Sequence, residues 1–291
     1  MPAFIATLLA SPPIATALLI GSLVAVTSGA VGVFVVLRGQ SFAGHALGDI
    51  GSTGAAAAYL AGQEPLFGFI GVGILAALAI EGLGERARER DVATGVVLSL
   101  MLGLSALLLY FMTERTSATG GPVAILFGSI FTVDPSVTWP VVLFSLFALL
   151  LLAVLYRPLV FSSLSPLAAR ARGVPLRTVG ILFMLALAIA VEESALVAGA
   201  LLSTALLIGP AAAAVRWTRQ VGHAALLAAA LGLGAVLLGI ALAYESYFWP
   251  PAHRGWPVSF FIVTLVLLEY LLSRIGRRRA ADARGAERKV G

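Results

Sequence analysis

The sequence contains no cysteine, which excludes disulfide cross-links and thiolate metal centres. A metal ion held by this chain must be met by imidazole, carboxylate, hydroxyl or carbonyl groups. Charge is scarce: 11% of the 291 residues are charged and 60% are hydrophobic, with a mean hydropathy of +1.01. Too few charged side chains are present to cover the surface of a water-soluble domain of this length. No Gly-x-x-x-x-Gly-Lys-Ser/Thr phosphate loop and no His-Glu-x-x-His motif occurs, so neither nucleotide binding of that type nor zinc-protease chemistry has its residues here. No basic residue precedes Arg38, so the N-terminal stretch lacks the basic leader of a cleaved signal peptide. The net charge of +5 and isoelectric point near 10.1 do not imply a nucleic-acid partner. The basic residues sit in short segments between apolar runs and at the C-terminal end, where charge reports membrane orientation.

What the chain does have is long continuous apolar runs rich in Leu, Ala, Val and Gly. Transmembrane barrel strands would alternate apolar and polar residues in short segments, so the expected fold is an all-α polytopic transmembrane bundle. Nine spans are read at 13–37, 41–62, 66–83, 93–112, 136–156, 178–193, 195–215, 223–244 and 257–274. Glu192 and Glu193 separate the sixth and seventh, which puts that turn at a water interface and makes the pair a candidate outer acidic mouth. Residues 1–11, ahead of Pro12 and Pro13, are read as an interfacial segment. Residues 1–275 form one transmembrane domain, and 276–291 a basic, Ala-rich tail expected to be disordered. With Arg38 on the cytoplasmic side and alternating spans, every Lys and Arg except Arg115 and Arg254 is cytoplasmic. The positive-inside rule then sets the N-terminus outside and the C-terminus in the cytoplasm of a bacterial inner membrane. Tyr244, Tyr247, Phe248, Trp249 and Trp256 cluster near one outer boundary, as in an interfacial aromatic belt.

Few ionisable residues fall well inside a span, and His45 and Asp49 are the clearest. Their i, i+4 spacing puts both on one helix face. Such residues are costly in lipid and should meet a cavity or a partner. An imidazole nitrogen with a carboxylate oxygen is a half-site for Zn²⁺, Mn²⁺ or Fe²⁺, and two copies of the chain would supply two His and two Asp. The other reading is a local His–Asp contact within one bundle. Gly44, Gly48, Gly51 and Gly54 run along the same segment; they allow close backbone approach, either at a dimer seam or within the chain. Glu269 is expected to reach the interface or pair with Arg274, and Glu81 lies near the basic segment that follows it. His223 and His253 are read as structural.

Taken in order, several segments resemble the permease subunits of zinc/manganese/iron ABC importers of the ABC-3 type. The stretch Leu37-Arg38-Gly39-Gln40-Ser41-Phe42-Ala43-Gly44-His45-Ala46-Leu47-Gly48-Asp49 is similar to the family's Ser-x-x-Gly-Asp-x-x-x-His element after a basic residue. Asp91 before Gly95, Leu126-Phe127-Gly128-Ser129, and the series Gly199-Ala200-Leu201-Leu202, Leu206-Leu207 and Pro210-Ala211-Ala212 resemble its later motifs. The chain departs from the family twice. His45 precedes Asp49 where the family has Asp first, and Ser129 stands where the family has Asp.

The resemblance, over about residues 13 to 273, implies a homodimeric permease working with two ATP-binding subunits and an extracytoplasmic metal-binding protein. Its cargo would be a transported ion, Zn²⁺ by ligand type or else Mn²⁺ or Fe²⁺, with no permanently bound cofactor and no covalent chemistry on this chain. The segment 162–179 resembles the family's coupling helix. Ser165 and Pro166 open it, Arg170 and Arg172 charge it, and Gly173 closes it, as start and stop signals for a short helix. Two other classes stand beside this reading: a secondary transporter needing no ATPase partner, and an intramembrane enzyme. The orientation is testable because there is no native cysteine. Cysteines placed singly at Arg115 and Arg170 should label with impermeant reagents from the outside and from the cytoplasm respectively. Labelling of both from one side would refute the topology.

Overall fold

The computed structural model describes residues 12–83, 87–115, 120–128, 130–200, 202–249 and 255–290. The interfacial reading of 1–11, and the expectations for Ser129, Leu201 and His253, lie outside these. Over the described residues the chain folds as helices: α1 (Pro12–Leu37), α2 (Ser41–Leu60), α3 (Pro65–Leu83), α4 (Ala87–Arg115), the short α5 (Gly120–Phe127), α6 (Thr138–Leu164), the short α7 (Pro166–Ala171), α8 (Leu176–Ala198), α9 (Ser203–Trp217), α10 (Val221–Ser246) and α11 (Val258–Val290). Prolines stand at or beside the first position of α1, α3 and α7, where the missing N–H costs nothing and the ring pre-sets φ. Seven of the long helices are long and apolar enough to cross a membrane. The other two are α2, diluted by His45, Asp49 and its small residues, and α9, which has only 15 residues and so spans roughly 22 Å at about 1.5 Å per residue.

The bundle is organised around α8, which packs against α1, α2, α3, α5, α6 and α9. Of its most apolar 18-residue window, 78% is buried, against 11% for α4 at the periphery. Helices α10 and α11 form a second layer over α1 and α9. Two of the apolar clusters lie around α8, one built on Ala186, Ile189 and Val197 and the other on Phe183, Met184 and Leu187. The basic turns gather at one end of the bundle, where the Arg38 guanidinium donates to Ser162 at 3.2 Å and lies 5.2 Å over the Phe183 ring. At the opposite end Trp249 and Trp256 meet edge to face at 5.9 Å, and both are about half exposed, as the interfacial reading of this cluster expects.

The division between the sixth and seventh spans differs from the sequence reading. Glu192 and Glu193 lie inside α8, not in a turn, and neither is exposed at all. Helix α8 runs on to Ala198 and breaks at Gly199, whose φ of +91° no other residue adopts cheaply. The 16 residues of 178–193 were already short of the roughly 20 that crossing requires. Helix α11 continues through residues 276–290 of the tail expected to be disordered; Ala and Arg, its main residues there, are good helix formers.

The glycine series of α2 serves packing within the chain. Gly44 lies against Leu207, Gly48 against Ser203 and Ala200, Gly51 against Glu192, and Gly54 against the backbone of Gly68. The Gly54–Gly68 contact is mutual: a Cβ on either would overlap the other's carbonyl oxygen. Overpacking of this kind is destabilising by about 1–3 kcal/mol. Gly54→Val should therefore lower the thermal midpoint of the detergent-solubilised protein, followed by size-exclusion chromatography after heating, and an unchanged midpoint would remove the α2–α3 crossing as a packing constraint.

Candidate functional site

Helix α2 begins at Ser41, after the Arg38–Gly39–Gln40 turn, and carries His45 one turn in and Asp49 two turns in. The spacing read from the sequence is realised as a pair, with His45 Nε2 3.6 Å from Asp49 Oδ2. That is an ion-pair distance and too long for a hydrogen bond. The two side chains differ in environment: that of His45 is 46% exposed and that of Asp49 only 9%. His45 Nδ1 lies 3.1 Å from the Thr204 hydroxyl of α9, which fixes the ring between two helices. Asp49 Oδ1 is buried and has no hydrogen-bond partner. Below it, the Ser52 hydroxyl donates to the Asp49 carbonyl at 2.6 Å and meets Ser105 of α4 at 2.9 Å, while Thr53 donates to the Met101 carbonyl at 2.8 Å. The last two bonds tie α2 to α4, and none of the three engages the carboxylate.

The two glutamates of α8 face different neighbours. Glu192 points toward α2 and α3, its carboxylate packed against Gly51 and Gly73. Both of its oxygens are buried without a hydrogen-bond partner, and Gly51, against which it packs, is two residues from Asp49 on α2. Glu193 turns to α6, where the Ser145 hydroxyl donates to Oε2 at 2.7 Å. Next to it, Ser194 and Ser28 of α1 share a hydrogen bond at 2.6 Å. Glu269, expected to reach the interface or pair with Arg274, has a buried Oε2 with no hydrogen-bond partner. Among the described residues no group of three or more His, Asp or Glu side chains is arranged to hold a metal ion within one copy of the chain.

Each end of the bundle has a cavity. The one at the end opposite the basic turns, about 620 Å³, is bordered by Tyr59, Glu64, Phe69, Asp134, Ala195 and Leu196. Asp134 accepts the Ser136 N–H at 2.7 Å, and that bond holds its carboxyl below the ordinary aspartate range. The one at the basic end, about 250 Å³, is bordered by Arg38, Gln40, Glu81, Asp91, Ser162 and Pro166. Glu81 lies there against Gly180 of α8.

The short helix read between the fifth span and the sixth is present as α7. Ser165 caps it, accepting the Ala168 N–H at 3.4 Å, with Pro166 at its first turn. It ends where Gly173 N–H donates to the Arg170 carbonyl and Val174 N–H to that of Ala169, a glycine-type C-cap. Arg172 lies 5.1 Å over the Phe161 ring. Leu164 and Leu167 stand 73% and 82% exposed beside it, an apolar offering at the basic end. Of the last motif, Gly199 ends α8 and Pro210 is buried inside α9. Gly199 lies backbone to backbone against Gly128, also at positive φ, and the Ala200 N–H donates to the Ile125 carbonyl of α5 at 3.1 Å.

Sequence reasoning found the His45–Asp49 pair and missed Thr204 and the burial of Glu192. The signal for the latter was Gly199, which offered a better break than two glutamates inside an otherwise apolar run.

Known proteins resemble the chain over most of its length. Residues 11–272 match the model of the ABC 3 transport family. The manganese transport system membrane protein MntC of Listeria innocua is 30% identical over 229 residues, which cover 78% of this chain and 80% of that protein. The manganese import system permease protein ScaB of Streptococcus gordonii is 30% identical over 230 residues, covering 79% and 81%. A solved structure, PsaBC from Streptococcus pneumoniae in complex with Fab, contains a chain that superposes with a TM-score of 0.79 at 28% identity, over 94% of this chain and 95% of that one.

Proposed function

The chain belongs to the ABC 3 transport family and is the membrane component of a transporter, not a catalytic subunit; from that premise we propose that it carries a divalent transition metal inward across the bacterial cytoplasmic membrane, by alternating access, as a homodimer. The observation that carries this reading is the His45–Asp49 pair: a nitrogen and an oxygen donor on one helix face, 3.6 Å apart, with one carboxylate oxygen unpartnered and the imidazole half exposed. A second copy facing His45 would complete a closed set of two imidazoles and two carboxylates. Such donors accept Zn²⁺, Mn²⁺ and Fe²⁺ alike. The preference for zinc read from ligand type finds no support among the relatives described above, whose names specify manganese, so Mn²⁺ is the first cargo to test.

Energy is supplied by two ATP-binding subunits that dock on α7. Its capped helix, the charges of Arg170 and Arg172 and the exposed Leu167 support this. An extracytoplasmic metal-binding protein delivers the ion to the opposite end, where Glu64 and Asp134 border the larger cavity. The gathering of basic turns around Arg38 and Ser162 at one end supports a cytoplasmic C-terminus. A secondary transporter, the alternative reading from sequence, gives way to the family assignment.

His45→Ala and Asp49→Ala should each abolish Mn²⁺ uptake into proteoliposomes holding the complete transporter, with the complex still assembled by size-exclusion chromatography. Wild-type uptake by both would make the pair structural. Charge reversal at Arg170 and Arg172 together should weaken ATPase association and coupled uptake while the membrane domain keeps its thermal midpoint. Normal association and uptake would remove α7 as the docking element.

A further inference from the structure

A carboxylate in the membrane interior is retained only against a large cost, and Glu192 carries no visible compensation from the protein. It is wholly buried, and neither oxygen has a hydrogen-bond partner. By contrast Glu193, the next residue, has Ser145. The space Glu192 occupies exists because Gly51 and Gly73 lack side chains, since a Cβ at either position would overlap its carboxylate. Two helices have thus given up side chains around one acid.

Its position is as telling. The cavity at the end opposite the basic turns reaches Phe69 of α3 and Ala195 of α8. Gly73 is one turn further along α3 from Phe69, and Glu192 is one turn back along α8 from Ala195, so both stand one helical turn inward of residues that line the cavity. On its other side it touches Gly51 of α2, two residues from Asp49, whose own Oδ1 is unpartnered. Beyond Asp49 comes His45, toward the basic end. The donors do not converge on one point. They form a succession, and an ion passes best through several sites of moderate strength.

We propose that Glu192 is a third cation-binding side chain of the path: it receives the divalent ion from the outer cavity and passes it to Asp49 and His45. This rests on the reading of His45 and Asp49 as the transport pair. With two carboxylates and an imidazole in sequence, the ligand class is a divalent metal cation held by oxygen first and nitrogen last.

The test is uptake of radiolabelled Mn²⁺ by the complete transporter in proteoliposomes, measured against metal concentration, for Glu192→Gln, Glu192→Asp, His45→Ala and Asp49→Ala. Glu192→Gln removes the charge at nearly constant volume and should raise the half-saturating Mn²⁺ concentration about tenfold or more, in the range that loss of a supporting metal-site group produces. The metal-free thermal midpoint should not fall. Glu192→Asp, which keeps the charge but draws it back, should be intermediate. A wild-type half-saturating concentration in Glu192→Gln, or in Glu192→Asp should the former not assemble, overturns the proposal. If His45→Ala and Asp49→Ala still lose uptake in that case, the transport pair stands and Glu192 is a packing residue. If all four variants transport normally, the path itself lies elsewhere. A fall in uptake matched by a fall in metal-free midpoint, with no recovery in Glu192→Asp, also overturns it.

Discussion

Inside a bilayer no water is present to complete the bonding of a polar group, so every buried carboxylate must find a protein donor, a cation or an aqueous cavity. That constraint shapes the centre of this bundle. Helix α8 carries two adjacent acids into the most buried part of the molecule, and its neighbours are arranged around them. Helix α6 offers a serine hydroxyl to one. Helices α2 and α3 offer absent side chains to the other. The rest of the packing follows: α2 lies close on α8 and α9 through Gly48 and Gly44, and close on α3 through Gly54.

The same closeness sets the geometry of His45 and Asp49. A helix held by side-chain interdigitation would stand 8–10 Å or so from its neighbours. One held by glycine contacts sits nearer, and short side chains can bridge it. Thr204 of α9 reaches the His45 ring for that reason. The imidazole is thereby oriented from behind while its other face stays open, an arrangement that suits a ligand which must bind and then leave.

Most of the long helices among the described residues were legible because hydropathy depends on composition summed over a span, and composition is local. The short α7 was legible from Ser165-Pro166 and Gly173, whose backbone preferences are also local. The His45–Asp49 pair followed from helix periodicity alone. What escaped was everything decided by neighbours distant in sequence. Glu192 and Glu193 read as a turn because charge in an apolar run ordinarily marks water, and nothing near them in sequence reveals Gly51, Gly73 or Ser145. Likewise Thr204 stands 159 residues from its partner. The glycine stripe of α2 was visible, but whether it served a second copy or the chain itself could be decided only once α3, α8 and α9 were in place.

The clasp between Gly128 and Gly199 bears on how this sequence can drift over evolutionary time. Each residue occupies a conformation that suits glycine, and each fills the space in which the other's side chain would stand. Replacing one demands a retreat of the other's backbone and the loss of the Ala200–Ile125 bond. A side chain at either position is therefore opposed twice, by its own backbone conformation and by the residue 71 positions away, so the two sites constrain one another.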